Sequence, residues 1–413
     1  MSVKVLSEIA RLLAKSKRPL FHVGQGIRHA EKEFFGLMDY LQIPFVTARN
    51  ANDMCAWDHP LLVGRPGTFA QRGANFSVQT CDLYIAVGTR LSITQTGYNT
   101  KDYARNAQII QVNIDRAELD KGTLRHPLNI CMDAREFLLE LNGYWKYFAG
   151  LSWPEWLAQC QKWKEKYPVC LAEYKEQKEY VNSYYFIETL SELATAEDII
   201  VTDMGFAFQN THQAWKTKKG QRLITNCGLA PMGWGLPASI GAAFASGRRI
   251  LCIIGEGGLM MNIQELATVM HHQLPIKIFV LNNGGYLTIK QTQEFGFEGR
   301  LMGVNEDTGL SFPNFWSLAF AHKIPYAKFS SHQDLETHLR WNLGSPGPRL
   351  MEIMMSPEQP QAPRFLNRRN PDGTMNPTRL EDAWPFLSPE VMEAEMNVFG
   401  PIEKIQVTQW RYK

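Results

Sequence analysis

Residues 250–286 read as a buried strand, a glycine turn, a helix and a second buried strand ending in two amides, an order that few folds accept. Residues 250–254 are an unbroken apolar run, followed by Gly255-Glu256-Gly257-Gly258. Asn262 and Gln264-Glu265-Leu266 come next in a helical pattern, and residues 276–281 lead into Asn282-Asn283-Gly284-Gly285-Tyr286. Short apolar runs without alternation mark strands buried on both faces, as in a parallel sheet. Glycines after such a strand let the backbone approach a phosphate, and the helix that follows offers unpaired N–H groups and the positive end of its dipole. Neighbouring parallel strands end side by side, so an acid on the turn and an amide at the end of the next strand can share one hard cation. The motif therefore predicts a Mg²⁺–diphosphate site, with the acid Glu256 and one of the two amides meeting around the metal and the glycines at 255, 257 and 258 letting the backbone approach the phosphates.

The rest of the chain supports a parallel architecture. Apolar runs alternate with amphipathic stretches, which predicts two α/β units, each a doubly wound and mostly parallel sheet, joined by a helical linker. The first domain is expected over residues 1–142, the linker over 143–182, the second domain over 183–357 and a tail rich in Pro and Arg over 358–413. Trp145, Trp153, Trp156 and Trp163 in the linker read as packing anchors rather than a base-stacking platform, since no basic groove accompanies them. With 43 basic against 41 acidic residues, charge gives no case for nucleic acid or an anionic membrane surface. The 7 cysteines show neither CxxC nor Cys/His spacing, so reduced core thiols are expected. Charges early in the N-terminus argue against a secretory signal, and no apolar stretch approaches the ~18 residues of a membrane span. A soluble cytoplasmic protein is the expectation.

The turn and the double Asn resemble the signature of thiamine diphosphate enzymes, GDG followed by a spacer and NN, with Glu256 at the usual Asp. Asn226-Cys227-Gly228-Leu229-Ala230-Pro231-Met232-Gly233-Trp234-Gly235-Leu236-Pro237 resembles the GGLGxMGxGLP segment of the acetolactate synthase type. By that resemblance Met232 props the cofactor in its bent shape, and the carbonyl of Ala230, usually Gly, accepts from its 4′-amino group. Asp203 and Gly205, in Thr202-Asp203-Met204-Gly205-Phe206, fall at the diphosphate end, and Gln209, Asn210, Thr211 and His212 follow as candidate polar groups. By the same resemblance Glu256 and Asn283 ligate the metal through their side chains and the Gly285 carbonyl is the third ligand, Gly255, Gly257, Gly258 and Tyr286 line the cofactor, and Thr288 and Ile289 face the acceptor substrate.

The first domain resembles the central domain of the same enzymes through residues 18–26 and 82–90. FAD, which that domain holds in acetolactate synthases, is the less expected occupant here, because Leu91-Ser92-Ile93-Thr94 replaces the charged stretch that normally follows. The resemblance implies decarboxylation of a 2-oxo acid such as pyruvate, with the two-carbon unit protonated or passed to a second carbonyl. Asp203-Met204-Gly205, residues 211–214 and residues 368–373 resemble a subgroup that transfers this unit to a keto-sugar nucleotide. The family's N-terminal pyrimidine-binding domain supplies an activating glutamate that no residue here matches. A homo-oligomer, a separate pyrimidine-domain chain, or both are the expected partners. The alternative is a non-catalytic cofactor-binding subunit or a remnant of a truncated enzyme. A dehydrogenase reading on Gly24-Gln25-Gly26 fails at the third glycine, where His29 stands.

Overall fold

The computed structural model describes residues 1–125, 127–369, 372–376 and 378–400. The chain forms two compact units, and the first is built from three separate stretches: residues 1–54, 58–168 and, from the far end of the chain, 362 onward. The second comprises residues 55–57 and 169–361.

The first unit is a six-stranded sheet of β1 (Pro19–Val23), β2 (Phe45–Thr47), β3 (Leu62–Gly64), β4 (Leu83–Val87), β5 (Gln108–Asn113) and β6 (Leu128–Cys131), in the order β3-β2-β1-β4-β5-β6. Every pairing is parallel. All five residues of β1 and of β4 are buried, as expected of central strands covered on both faces. The strand order reverses between β1 and β4, the position where open α/β sheets usually admit ligands. Here the two turns meet as bare backbone. A Cβ on Gly24 would collide with the Gly88 carbonyl, and one on Gly26 would lie 2.7 Å from Gly88 Cα. The glycines of residues 24–26 are thus explained by chain-on-chain contact. Arg90, in the stretch 82–90 that resembles the central domain, ion-pairs with Glu118 at 2.8 Å.

The expected linker divides between the units. Helix Pro154–Lys166 belongs to the first, held by indole N–H groups: Trp153 donates to the Ser16 carbonyl and Trp156 to that of Pro19, both at 2.8 Å, and Trp163 donates to Glu395 at 2.6 Å. Glu395 sits on helix Pro389–Met396, so the tail also supplies an ordered part of this unit. Arg72 donates to the carbonyls of Ala383 and Pro385, and Asn75 to that of Leu380. Within the run 368–373, Asn370 and Pro371 lie outside the described residues, as does the tail beyond 400.

The second unit is also a six-stranded, wholly parallel sheet: β7 (Ile199–Thr202), β8 (Arg222–Ile224), β9 (Ile250–Gly255), β10 (Ile276–Asn282), β11 (Tyr326–Phe329) and β12 (Arg349–Met354), ordered β11-β12-β10-β9-β7-β8. Both units are therefore α/β, as the alternating pattern predicts. β9 and β10 pair from Ile250–Ile276 to Gly255–Leu281, with Ile253, Ile254, Phe279 and Val280 fully buried. Each such side chain contributes about 1.5–3 kcal/mol relative to exposure. Connections run from β7 to β8 on one side and to β9 on the other, so the reversal point falls between β7 and β9, with Asp203 and Glu256 just past their carboxyl ends. Among the described residues, no helix is long and apolar enough to cross a membrane.

At the opposite end of β10, Lys277 is buried and donates to the carbonyls of Ser345 (2.6 Å) and Gly347 (2.8 Å). Burial, aided by Arg349 and Arg249, pulls its ammonium down to about 8. Between that value and the ordinary lysine range near 10.4 the unfolded chain binds more protons, so stability rises with pH across this window. The cost of holding the charge is fully present below pH 8. Lys277→Met removes the titration, so its stability difference from wild type should shift by roughly 1–3 kcal/mol between pH 8 and 10.5, in the direction that favours wild type. Urea unfolding at successive pH values measures this, and a constant difference would contradict it.

Candidate functional site

The expected glycine turn is the start of a helix. Gly255 caps helix Glu256–Met261, so Glu256, Gly257 and Gly258 occupy its first turn. The two inner glycines are required by close neighbours. A Cβ on Gly257 would overlap the Tyr286 ring and lie 3.1 Å from Met232 Cε, and one on Gly258 would collide with the Asp203 carboxylate. Gly257 thus sits where Met232 and Tyr286 converge. Gly255 and Gly284 instead border open space, since a Cβ on either would meet nothing within 4 Å.

Glu256 is buried, and its Oε1 accepts the backbone N–H groups of Asn283 (3.0 Å) and Gly285 (2.9 Å). The acid and the double-Asn loop are therefore joined directly. Burial lifts the Glu256 carboxyl to about 7, and the loop N–H groups oppose that rise. Gly285 is fixed from its other side, because a Cβ there would strike the Val304 carbonyl, which also accepts the Tyr286 N–H at 2.8 Å. The segment at Val304 and Asn305 carries no recognisable motif, and sequence reasoning missed it.

Asp203 is turned toward the protein. Its carboxylate accepts N–H groups from Gly235 (2.8 Å) and Gly233 (3.2 Å), clasping the glycine-rich loop to the end of β7. Burial raises its carboxyl above the ordinary range, and those two donors oppose the rise. Asn262 completes the clasp by donating to the Gly233 carbonyl at 2.6 Å. Asp203, Asn262 and Gly258 thereby hold the Met232 loop against the turn that carries Glu256.

Gly205 has φ +70 and precedes helix Phe206–Ala214; a Cβ on it would lie 3.8 Å from Thr288. Thr288 is thus brought to the end of β7, whereas Ile289, the adjacent residue, is 42 % exposed. The polar groups expected from Gln209 and Asn210 are engaged inside the unit, with Gln361 and Ser183. Lys290 pairs with Glu358.

Ala230 adopts φ +51, the left-handed conformation in which a Cβ costs about 1 kcal/mol, and this accounts for the Gly that the resembling segment carries. Ala230→Gly should raise unfolding stability by up to about 1 kcal/mol, less the extra chain entropy of Gly in the unfolded state. A drop in the denaturation midpoint would contradict this.

The residues present fit a diphosphate and a hard cation. The carboxylate of Glu256, the amide of Asn283 and the carbonyl of Gly285 are oxygen donors on two joined elements, beside the open space at Gly255 and Gly284. Thr202 Oγ1, buried at the end of β7, has no hydrogen-bond partner among the described residues. Nor does any group of three or more His, Cys, Asp or Glu side chains that could hold a metal ion gather among them, so phosphate and water would have to contribute to the shell of a cation here.

A parallel sheet with a glycine-rich loop, an acid and a double amide at its reversal point defines a nucleotide- or diphosphate-binding α/β class. Residues 203–353 match the C-terminal TPP binding domain of thiamine pyrophosphate enzymes, and residues 6–141 match the central domain of the same enzymes. The chain thus carries the central and C-terminal domains of thiamine pyrophosphate enzymes. It is similar to the acetolactate synthase large subunit of Cyanidium caldarium, 30 % identical over 367 residues, covering 86 % of this chain and 60 % of that protein. It is likewise similar to the isozyme 1 large subunit of Escherichia coli K12, 30 % identical over 359 residues, covering 87 % of this chain and 62 % of the relative. With the isozyme 2 large subunit of the same organism it shares 28 % identity over 407 residues, 95 % of this chain and 65 % of the relative. The chain spans about three-fifths of the length of the first two relatives.

Proposed function

We propose that this chain carries the diphosphate- and Mg²⁺-binding part of a thiamine diphosphate-dependent carboligase or decarboxylase acting on a 2-oxo acid such as pyruvate. The observation that carries the reading is the direct junction of Glu256 with the backbone of Asn283 and Gly285, beside the convergence of Met232 and Tyr286 on Gly257. Glu256, Asn283 and the Gly285 carbonyl hold the cation. Gly255, Gly257 and Gly258 keep the backbone low beneath the diphosphate, and Gly205 lies at its far side. Met232 supports the bend of the cofactor, and the Ala230 carbonyl accepts its amino group. Asp203 positions that loop. Tyr286 lines the cofactor, and Thr288 contributes to acceptor choice.

Thiamine diphosphate, when bound, supplies a nucleophilic carbon that adds to the 2-oxo acid carbonyl and accepts the electron pair released with CO₂. The acid that activates the cofactor comes, on this reading, from a pyrimidine-binding domain outside residues 1–413. The acceptor is a proton, a second 2-oxo acid or a keto-sugar nucleotide. Assay of the protein in its native assembly tests the proposal: CO₂ release from pyruvate that requires both thiamine diphosphate and Mg²⁺. An assembly that binds the cofactor and yet turns over no 2-oxo acid would overturn catalysis in favour of a binding subunit.

A further inference from the structure

At the amino-terminal edge of the first sheet, where β1 and β4 begin, a groove of about 770 Å³ is lined by Lys15, Arg18, Trp153, Glu155, Trp156 and Phe399, among others. This edge is opposite to the turns at Gly24 and Gly88. Arg18 is only 7 % exposed, and its Nε has no hydrogen-bond partner among the described residues. Asp82 is the acid beside it, yet that carboxylate is engaged with Ser16 Oγ (2.5 Å) and the backbone N–H groups of Lys17 (2.8 Å) and Arg18 (3.0 Å). The Phe399 ring covers the guanidinium at 5.5 Å.

Burying a charge without a full set of partners is costly, and a group left this way calls for a missing acceptor. Burial lowers the Arg18 guanidinium from its ordinary value, with Asp82 opposing, the direction expected of a cation short of acceptors. The two indole N–H groups are already bound to the Ser16 and Pro19 carbonyls, so the tryptophans form wall rather than recognition groups. Of the groups left to recognise a ligand, the guanidinium fork of Arg18 and the exposed Lys15 are cationic, and the exposed Glu155 is acidic. A guanidinium fork matches the paired oxygens of a carboxylate or phosphate.

We propose that this groove binds a small oxyanion, a carboxylate or a phosphate, with Arg18 as the anchoring residue. The site is separate from the one at residues 203–288 and does not depend on the reading given to it.

Calorimetric titration of the full chain with inorganic phosphate, and separately with pyruvate, tests the proposal and tells the two chemistries apart. Saturable binding of at least one anion is expected, weakened roughly tenfold or more in Arg18→Gln through loss of charge-assisted hydrogen bonds. Lys15→Gln alters an exposed position only and should weaken the same binding severalfold with the fold intact, which covers the case in which Arg18→Gln fails to fold. No saturable binding of either anion, or binding unchanged in Lys15→Gln and in a folded Arg18→Gln, would overturn the site.

Discussion

Glu256→Ala is expected to abolish Mg²⁺-dependent thiamine diphosphate binding, lowering affinity by roughly 100-fold or more, about 3 kcal/mol. Two losses combine. On the proposed reading the cation loses the one carboxylate assigned to it, and the N–H groups of Asn283 and Gly285 lose the oxygen that holds their loop in place. Since the same loop carries the other two proposed donors, its displacement removes them together. Titration calorimetry with cofactor, in Mg²⁺ and again in chelator, separates the metal-dependent part. Unchanged affinity in Mg²⁺ would remove Glu256 from the site. Glu256→Asp keeps the charge but withdraws it by one methylene from both N–H groups, so an intermediate loss is expected.

Asp203→Ala should destabilise the second unit by about 3 kcal/mol, because the N–H groups of Gly233 and Gly235 are left buried and unsatisfied. Asp203→Asn is informative beside it. The amide oxygen can accept one N–H while its NH₂ confronts the other, so about half of that loss is expected. Urea unfolding midpoints measure both. In addition, Met232 should lose its fixed position over Gly257, so cofactor affinity should fall along with stability. A variant that binds normally and unfolds at the wild-type midpoint would show that the loop holds itself.

Much of this was legible in the sequence because parallel strands leave a strong trace. The runs that became β1, β4, β9 and β10 are apolar almost throughout, and no other element buries both faces over so few residues. The strands that left little trace are β3, β8 and β11, at or near sheet edges. They span only three or four residues, and Arg222 and Lys328 stand exposed within the last two. Glu256 and Asn283 came together as their spacing implied, since register between neighbouring parallel strands fixes that proximity. The role of Asp203 could not be read in this way, because its partners lie some thirty residues away and are backbone N–H groups, which no side-chain pattern announces. Similarly, Thr288 and Ile289 were indistinguishable as neighbours in a motif, although successive helical positions face different directions.

The first unit draws its parts from both sides of the second, and this bears on the order in which the protein can be made. A ribosome translates residues 169–361 before the helix whose Glu395 receives Trp163 and the carbonyls that receive Arg72 and Asn75. The unit that starts first is therefore completed last. During synthesis its sheet must wait with Arg72 and Trp163 unsatisfied while the second unit gathers its own contacts. Chains truncated after residue 361 should accordingly resist protease across residues 169–361 while residues 1–168 remain cleavable.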